Sequence, residues 1–185
     1  GKVEALKAAL LEKKLKIDVR IGNLGLIEPQ FDQVKEVSRY KAERAFAQLR
    51  QPVLVEDGGF CVEALDGFPG VYTHYVLQTI GAKGILKLLA GETNRRAHFV
   101  SCATFVDEDG VLYQFEREAS PEMEIGEEMM DIASPYAWSD LWKIIYLKRY
   151  GKYLCQMTAE ELAGFRGKRR GSIPLFVDWL AQRPR

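Results

Sequence analysis

Val3, Leu6 and Leu10 recur three and four residues apart, with Lys2, Lys7 and Lys13 between them, and this spacing predicts an amphipathic helix over 2–13. Leu15, Ile17 and Val19 alternate with charged residues, the two-residue period of a strand. Val34, Val37, Ala45 and Leu49 return to helical spacing and predict a helix over 31–50. The apolar run 52–55 is too short for a helix and reads as a buried strand, with another strand over 60–65. Gly67-Phe68-Pro69-Gly70 is a turn, because Pro presets φ and Gly accepts positive φ. Helices follow over 72–79 and 82–89, the second closed by Gly91. Runs over 97–106 and 111–118 flank Asp107-Glu108-Asp109-Gly110, a hairpin signal. Residues 136–146 predict a loop and a strand. Thr158 opens a short helix, with Glu161 placed for a capping box, and Ser172 starts a last helix over 172–182. No repeat or linker interrupts this order, which predicts one α/β domain over 1–185 with a sheet that is not wholly parallel.

Composition narrows the function classes. A chain of 185 residues can bury its own core. Lys plus Arg and Asp plus Glu both number 26, so there is no net field for nucleic acid or an anionic membrane. No apolar run approaches the ~18 residues of a membrane span. The three cysteines show no CxxC spacing, and the expectation is reduced thiols in a cytoplasmic protein with no metal framework built on sulfur.

The chemistry concentrates in Val53-Leu54-Val55-Glu56-Asp57-Gly58-Gly59. Apolar residues lead into two acids and two glycines. Carboxylates at the carboxyl end of a strand lie where α/β proteins bind ligands. Two acids there can hold a hard cation such as Mg2+ and activate a water, and glycines let a ligand approach the backbone. The same pattern also serves an ordinary strand-to-turn junction. Glu36 and Lys41 lie five residues apart on the second helix, about 1.4 turns, and so leave it on different sides. A solvated helix face has the same look. Arg166 with Lys168-Arg169-Arg170 forms a basic cluster that suits either a triphosphate or solvent.

The stretch from Val53 to Gly91 resembles the inosine triphosphate pyrophosphatase family, hydrolases of non-canonical purine nucleoside triphosphates. Glu56-Asp57-Gly58-Gly59-Phe60, Ala64-Leu65-Asp66-Gly67-Phe68-Pro69-Gly70-Val71-Tyr72 and Leu88-Leu89-Ala90-Gly91 match its motifs in order and spacing. Gly1-Lys2-Val3-Glu4 resembles the tail of the family's opening motif, whose strand and Thr-x-Asn loop are expected ahead of Gly1 and are not in the sequence. The resemblance implies an elongated mixed β-sheet flanked by helices, in two lobes with a central cleft, and a homodimer. It implies hydrolysis of a nucleoside triphosphate to the monophosphate and pyrophosphate with Mg2+ as cofactor. By the same resemblance, Glu36 and Asp57 hold the metal, and Glu56 or Asp57 orients or deprotonates the attacking water. Lys2, Lys41, Lys152 and Arg166 meet phosphate, and Tyr136, Trp138 and Asp140 meet the base.

The match is weaker toward the C-terminus. Ala137 and Ser139 stand where the family has Gly and Asp, Gly164 and Phe165 where it has Ser and His, and Gly58 where it has a hydroxyl residue. The changes at Ser139, Gly164, Phe165 and Gly58 replace groups of the kind that tells a six-keto purine from adenine or holds phosphate. The departures leave two alternatives to the hydrolase. One is a member that binds a nucleotide or a partner without turnover. The other is an enzyme of changed base preference.

Overall fold

The computed structural model describes residues 1–27, 29–118, 123–168 and 171–183. Helix α1 (Lys2–Glu12) and helix α2 (Val34–Leu49) open the chain, followed by strand β1 (Val53–Val62), a 3-10 turn (Glu63–Leu65) and the short strand β2 (Pro69–Gly70). Helices α3 (Thr73–Thr79) and α4 (Gly81–Leu88) lead to strands β3 (Arg96–Val106), β4 (Leu112–Glu118) and β5 (Met123–Ile125). Strands β6 (Ile145–Leu147) and β7 (Lys152–Tyr153) precede helices α5 (Ala159–Lys168) and α6 (Ser172–Gln182). The strands form one sheet in the order β2-β1-β3-β5-β6-β7, with β4 on β3. The pairings β1–β2, β3–β5, β5–β6 and β6–β7 are antiparallel. The fold is therefore α/β around a sheet that is not wholly parallel.

The chain divides into two compact units. The first comprises Gly1–Gly58, Ser101–Arg117 and Arg170–Arg185. Its α1 and α6 pack through Leu10, Ile173, Phe176 and Val177. Its α2 lays Ala42 and Ala45 on Val53 and Val106. The loop after β3 explains the hairpin signal: Asp107 Oδ1 accepts the backbone N–H of Asp109 (3.1 Å) and of Val111 (2.9 Å), and Gly110 takes φ +81°. The other carboxylate oxygen of Asp107 accepts a bond from Arg183 at 2.8 Å, and that guanidinium lies 5.0 Å from the ring centres of both Tyr113 and Trp179.

The Arg183 bond holds the buried Asp107 carboxyl below its ordinary value of 3.8. A carboxylate whose pKa is depressed on folding adds stability above its unfolded value and loses it as pH falls through the folded one. Urea unfolding is expected to show Asp107→Asn less stable than the parent at pH 7, with the gap closing below pH 3.8. An equal gap at both pH values would contradict the pairing.

The second unit comprises Gly59–Val100 and Glu118–Arg169. Phe60, Ile85, Leu89, Met123, Ile125, Leu141, Ile145 and Leu147 are fully buried in its core. Arg95 ties three of its segments together by donating to the carbonyls of Leu89, Ile125 and Gly126. The capping box expected at Thr158 is formed: Glu161 N–H donates to Thr158 Oγ1 (3.2 Å) and Thr158 N–H to Glu161 Oε2 (2.9 Å).

Three expectations need correction. Residues 15–19 form no strand. Leu15 and Val19 pack against the α1–α6 core while Ile17 is exposed, so the alternation records burial of a coil segment. Glu56 and Asp57 do not stand at a strand end, because β1 continues through Gly58 and Gly59, neither of which takes positive φ. The separate strand over 60–65 is the continuation of β1, which gives way to the 3-10 turn at Glu63.

Among the described residues no helix is long and apolar enough to cross a membrane. All three cysteines are unpaired, and burial pushes each thiol pKa up, so none is poised as a thiolate nucleophile.

Candidate active site

Neighbouring side chains on a strand point to opposite faces, and this rule organises the acidic segment of β1. Val53, Val55 and Asp57 face α2. Val53 and Val55 pack with Ala42 and Ala45, and Asp57 Oδ2 accepts from Lys41 Nζ at 2.6 Å. Both side chains of that pair are largely shielded, at 20% and 16% exposure. Asp57 Oδ1 also accepts the backbone N–H of Gly58 at 3.0 Å. Lys41 reaches the strand because Val34, Val37, Ser38, Lys41, Ala42 and Ala45 share the inner face of α2. Ser38, fully buried, fixes that face: its hydroxyl lies 2.7 Å from Thr104 Oγ1 and donates toward the Cys102 and Val55 carbonyls.

Leu54 and Glu56 face the other way, toward α1 and α6. Leu54 packs on their shared core. Lys2 Nζ donates to the Glu56 carbonyl oxygen at 2.6 Å and pairs with Oε2 at 3.0 Å. Ser172, at the start of α6, directs its hydroxyl at Glu56 Oε1 from 3.4 Å. Each acid of the segment thus carries a lysine from a different helix. The two acids thus lie on opposite faces of the strand.

Glu36, the other expected metal ligand, lies exposed in the first turn of α2, where Oε2 accepts the Gln33 backbone N–H at 3.2 Å and completes a capping box. It belongs to the helix that Asp57 faces, and it is exposed while Lys41 turns inward to Asp57. Among the described residues no group of three or more His, Cys, Asp and Glu gathers as a metal site. The donor chemistry still suits a hard cation, since both Glu36 and Asp57 offer carboxylate oxygen.

The base-side residues lie in the second unit. Trp138 and Tyr136 are 64% and 44% exposed. Trp138 leans on Phe99 (6.0 Å between centroids), which rests on the buried Phe60 (4.9 Å). Ser139 acts as an N-cap, its hydroxyl accepting the Leu141 N–H at 3.2 Å. Asp140 turns to Lys143 at 3.0 Å. Lys152 is paired with Glu161 at 2.6 Å, which, with the Thr158 N–H, holds the Glu161 carboxyl below the usual range.

Residues 164–167 include the two positions where the resemblance sets Ser and His. These residues lie inside α5, their backbone is helical, and Phe165 packs on the core where the family has a polar residue. The side chains of Arg166 and Lys168, together with Arg169 and Arg170, lie outside the described residues. Sequence reasoning missed Ser172, which lies 116 positions from Glu56 and carries no spacing signal.

The sequence profile of the Ham1 family matches residues 1–163. A dITP/XTP pyrophosphatase of Methanopyrus kandleri is 47% identical over 94 residues, 51% of this chain and 50% of that protein. One from Thermococcus kodakarensis is 44% identical over 115 residues, 62% of this chain and 60% of that protein. The chain spans about half the length of the first curated relatives it matches. Among solved structures, a nucleoside-triphosphatase (dITP/XTP pyrophosphatase) of Mycobacterium abscessus superposes with a TM-score of 0.74 at 18% identity, covering 91% of this chain and 89% of that one. At that identity the likeness is one of fold.

Proposed function

This chain belongs to the Ham1 family, and on that footing we propose that it hydrolyses non-canonical purine nucleoside triphosphates to the monophosphate and pyrophosphate. One observation carries the reading: adjacent acids on one strand, each held by a lysine from a separate helix. An acid beside a lysine offers a proton acceptor for water together with a cation for phosphoryl oxygen. Relatives named dITP/XTP pyrophosphatases support the substrate class.

In this reading Lys2 and Lys41 exchange their carboxylate partners for phosphate oxygens as the substrate binds. Their positive charge then meets the negative charge that grows as the bond between the α and β phosphates breaks. Of the carboxylates so released, Glu56 or Asp57 orients the attacking water or takes its proton. Glu36 and Asp57 would hold Mg2+, which supplies Lewis-acid polarisation of a phosphoryl oxygen when bound. Lys152 and Arg166 are assigned to phosphate as well, and Tyr136, Trp138 and Asp140 to the base. A homodimer in the cytoplasm is the setting we assign, the first from the family resemblance and the second from the unpaired cysteines.

Trp138→Ala is expected to raise KM for every triphosphate tested by a similar factor. A π-face stacks on any base, and such stacking is worth ~1–3 kcal/mol. Steady-state kinetics on inosine, xanthosine and adenosine triphosphates check this. A rise confined to one base would point to hydrogen-bonded recognition instead. With Phe165 on the core and Ser139 used as a cap, discrimination between inosine and adenosine triphosphates is expected to stay below ~100-fold. The test of the function is product analysis after incubation with Mg2+: pyrophosphate and monophosphate are expected, in equal amounts.

A further inference from the structure

Two helices deliver donors to one carboxylate. Lys2 opens α1 and holds the carbonyl and Oε2 of Glu56, while Ser172 opens α6 and addresses Oε1. The donors differ in freedom. The Lys2 side chain is 60% exposed, whereas Ser172 is wholly buried and its own N–H donates to Ser101 Oγ at 3.2 Å. Helix α6 is itself tied down. Asp178 pairs with Lys13 at 2.7 Å, and the residue after the helix, Arg183, is fixed on Asp107. The hydroxyl therefore sits on a fixed support beside a lysine that can swing away.

A contact of 3.4 Å is long for O–H···O, where ~2.7–2.8 Å is usual. Lys2 holds the opposite oxygen of the same carboxylate at 3.0 Å. Bonds of this kind in resting active sites commonly tighten when the substrate binds.

We propose that Ser172 is a positioning residue for Glu56: when Lys2 turns to a nucleotide phosphate, the Ser172 hydroxyl keeps the carboxylate in place and the contact shortens. The proposal rests on the hydrolase reading of the β1 acids. Ser172→Ala removes one oxygen and leaves α6 its packing. On the full chain it is expected to lower kcat about tenfold, about 1.4 kcal/mol, with KM within twofold of the parent, because Lys2 and the base-side residues are untouched. The contact itself is read without turnover, by urea unfolding of the parent, Ser172→Ala, Glu56→Ala and the double variant. The Ser172→Ala loss in midpoint is expected to shrink in the Glu56→Ala background. An equal loss in both backgrounds would overturn the proposal, as would a kcat within twofold of the parent or a fall carried wholly by KM. If the parent released no pyrophosphate, the hydrolase reading would fall before any variant was made. The unfolding cycle would still decide whether Ser172 holds Glu56.

Discussion

Asp57→Asn is expected to cut pyrophosphate release at least a hundredfold, about 2.7 kcal/mol of barrier, in a chain that remains folded. Asparagine keeps the shape of aspartate, and its amide oxygen can still accept from Lys41, which lies 2.6 Å from Oδ2. The backbone of β1 is held by the sheet and by Ser38 on the Val55 carbonyl, so the side-chain charge is not what keeps the strand in place. The substitution removes the negative charge, and with it both the capacity to bind a cation and the basicity toward water. Circular dichroism and urea unfolding establish the fold, and pyrophosphate release reads the loss. Activity within about threefold of the parent, ~0.7 kcal/mol, would show that the carboxylate has no chemical task.

Removing the divalent metal is expected to stop turnover, with Mg2+ restoring it and Ca2+ leaving it at least tenfold lower. The donor set leads to this expectation. Glu36 and Asp57 offer oxygen and no sulfur or imidazole, which suits a hard cation that keeps several of its waters. Mg2+ demands tight octahedral geometry, whereas Ca2+ accepts more ligands at longer distance and polarises its waters less. Dialysis against a chelator, followed by addition of each metal, is the measurement. Equal rates before and after exhaustive chelation would remove the metal from the account.

Much of the fold was legible in the sequence, for local reasons. The last helix begins and ends at the expected residues, Ser172 and Gln182. The Thr158–Glu161 capping box and the hairpin at Asp107 to Gly110 are written in residues that bond to their own neighbours. The motif from Glu56 to Gly91 was likewise readable, because short spacings carry it. Partnership across the chain was not. Alternation over 15–19 promised a strand, yet a strand also needs a neighbour to pair with, and the segment instead buries Leu15 and Val19 on helices. Two glycines after Asp57 looked like a turn, but their extended backbone carries β1 on to Val62. The placement of Glu56 and Asp57 on opposite faces follows from that continuity, and so does the division of the two lysines between them. Gly164 and Phe165 stand where the resemblance expects Ser and His. Their backbone is helical and Phe165 packs on the core, a contact that no local spacing announces.

The most direct test of the central claim is to identify the products formed from inosine or xanthosine triphosphate with Mg2+ by ion-exchange chromatography. Cleavage between the α and β phosphates gives the nucleoside monophosphate and pyrophosphate in equal amounts, which is the result this account predicts. Nucleoside diphosphate with orthophosphate, or no product with any triphosphate, would contradict it.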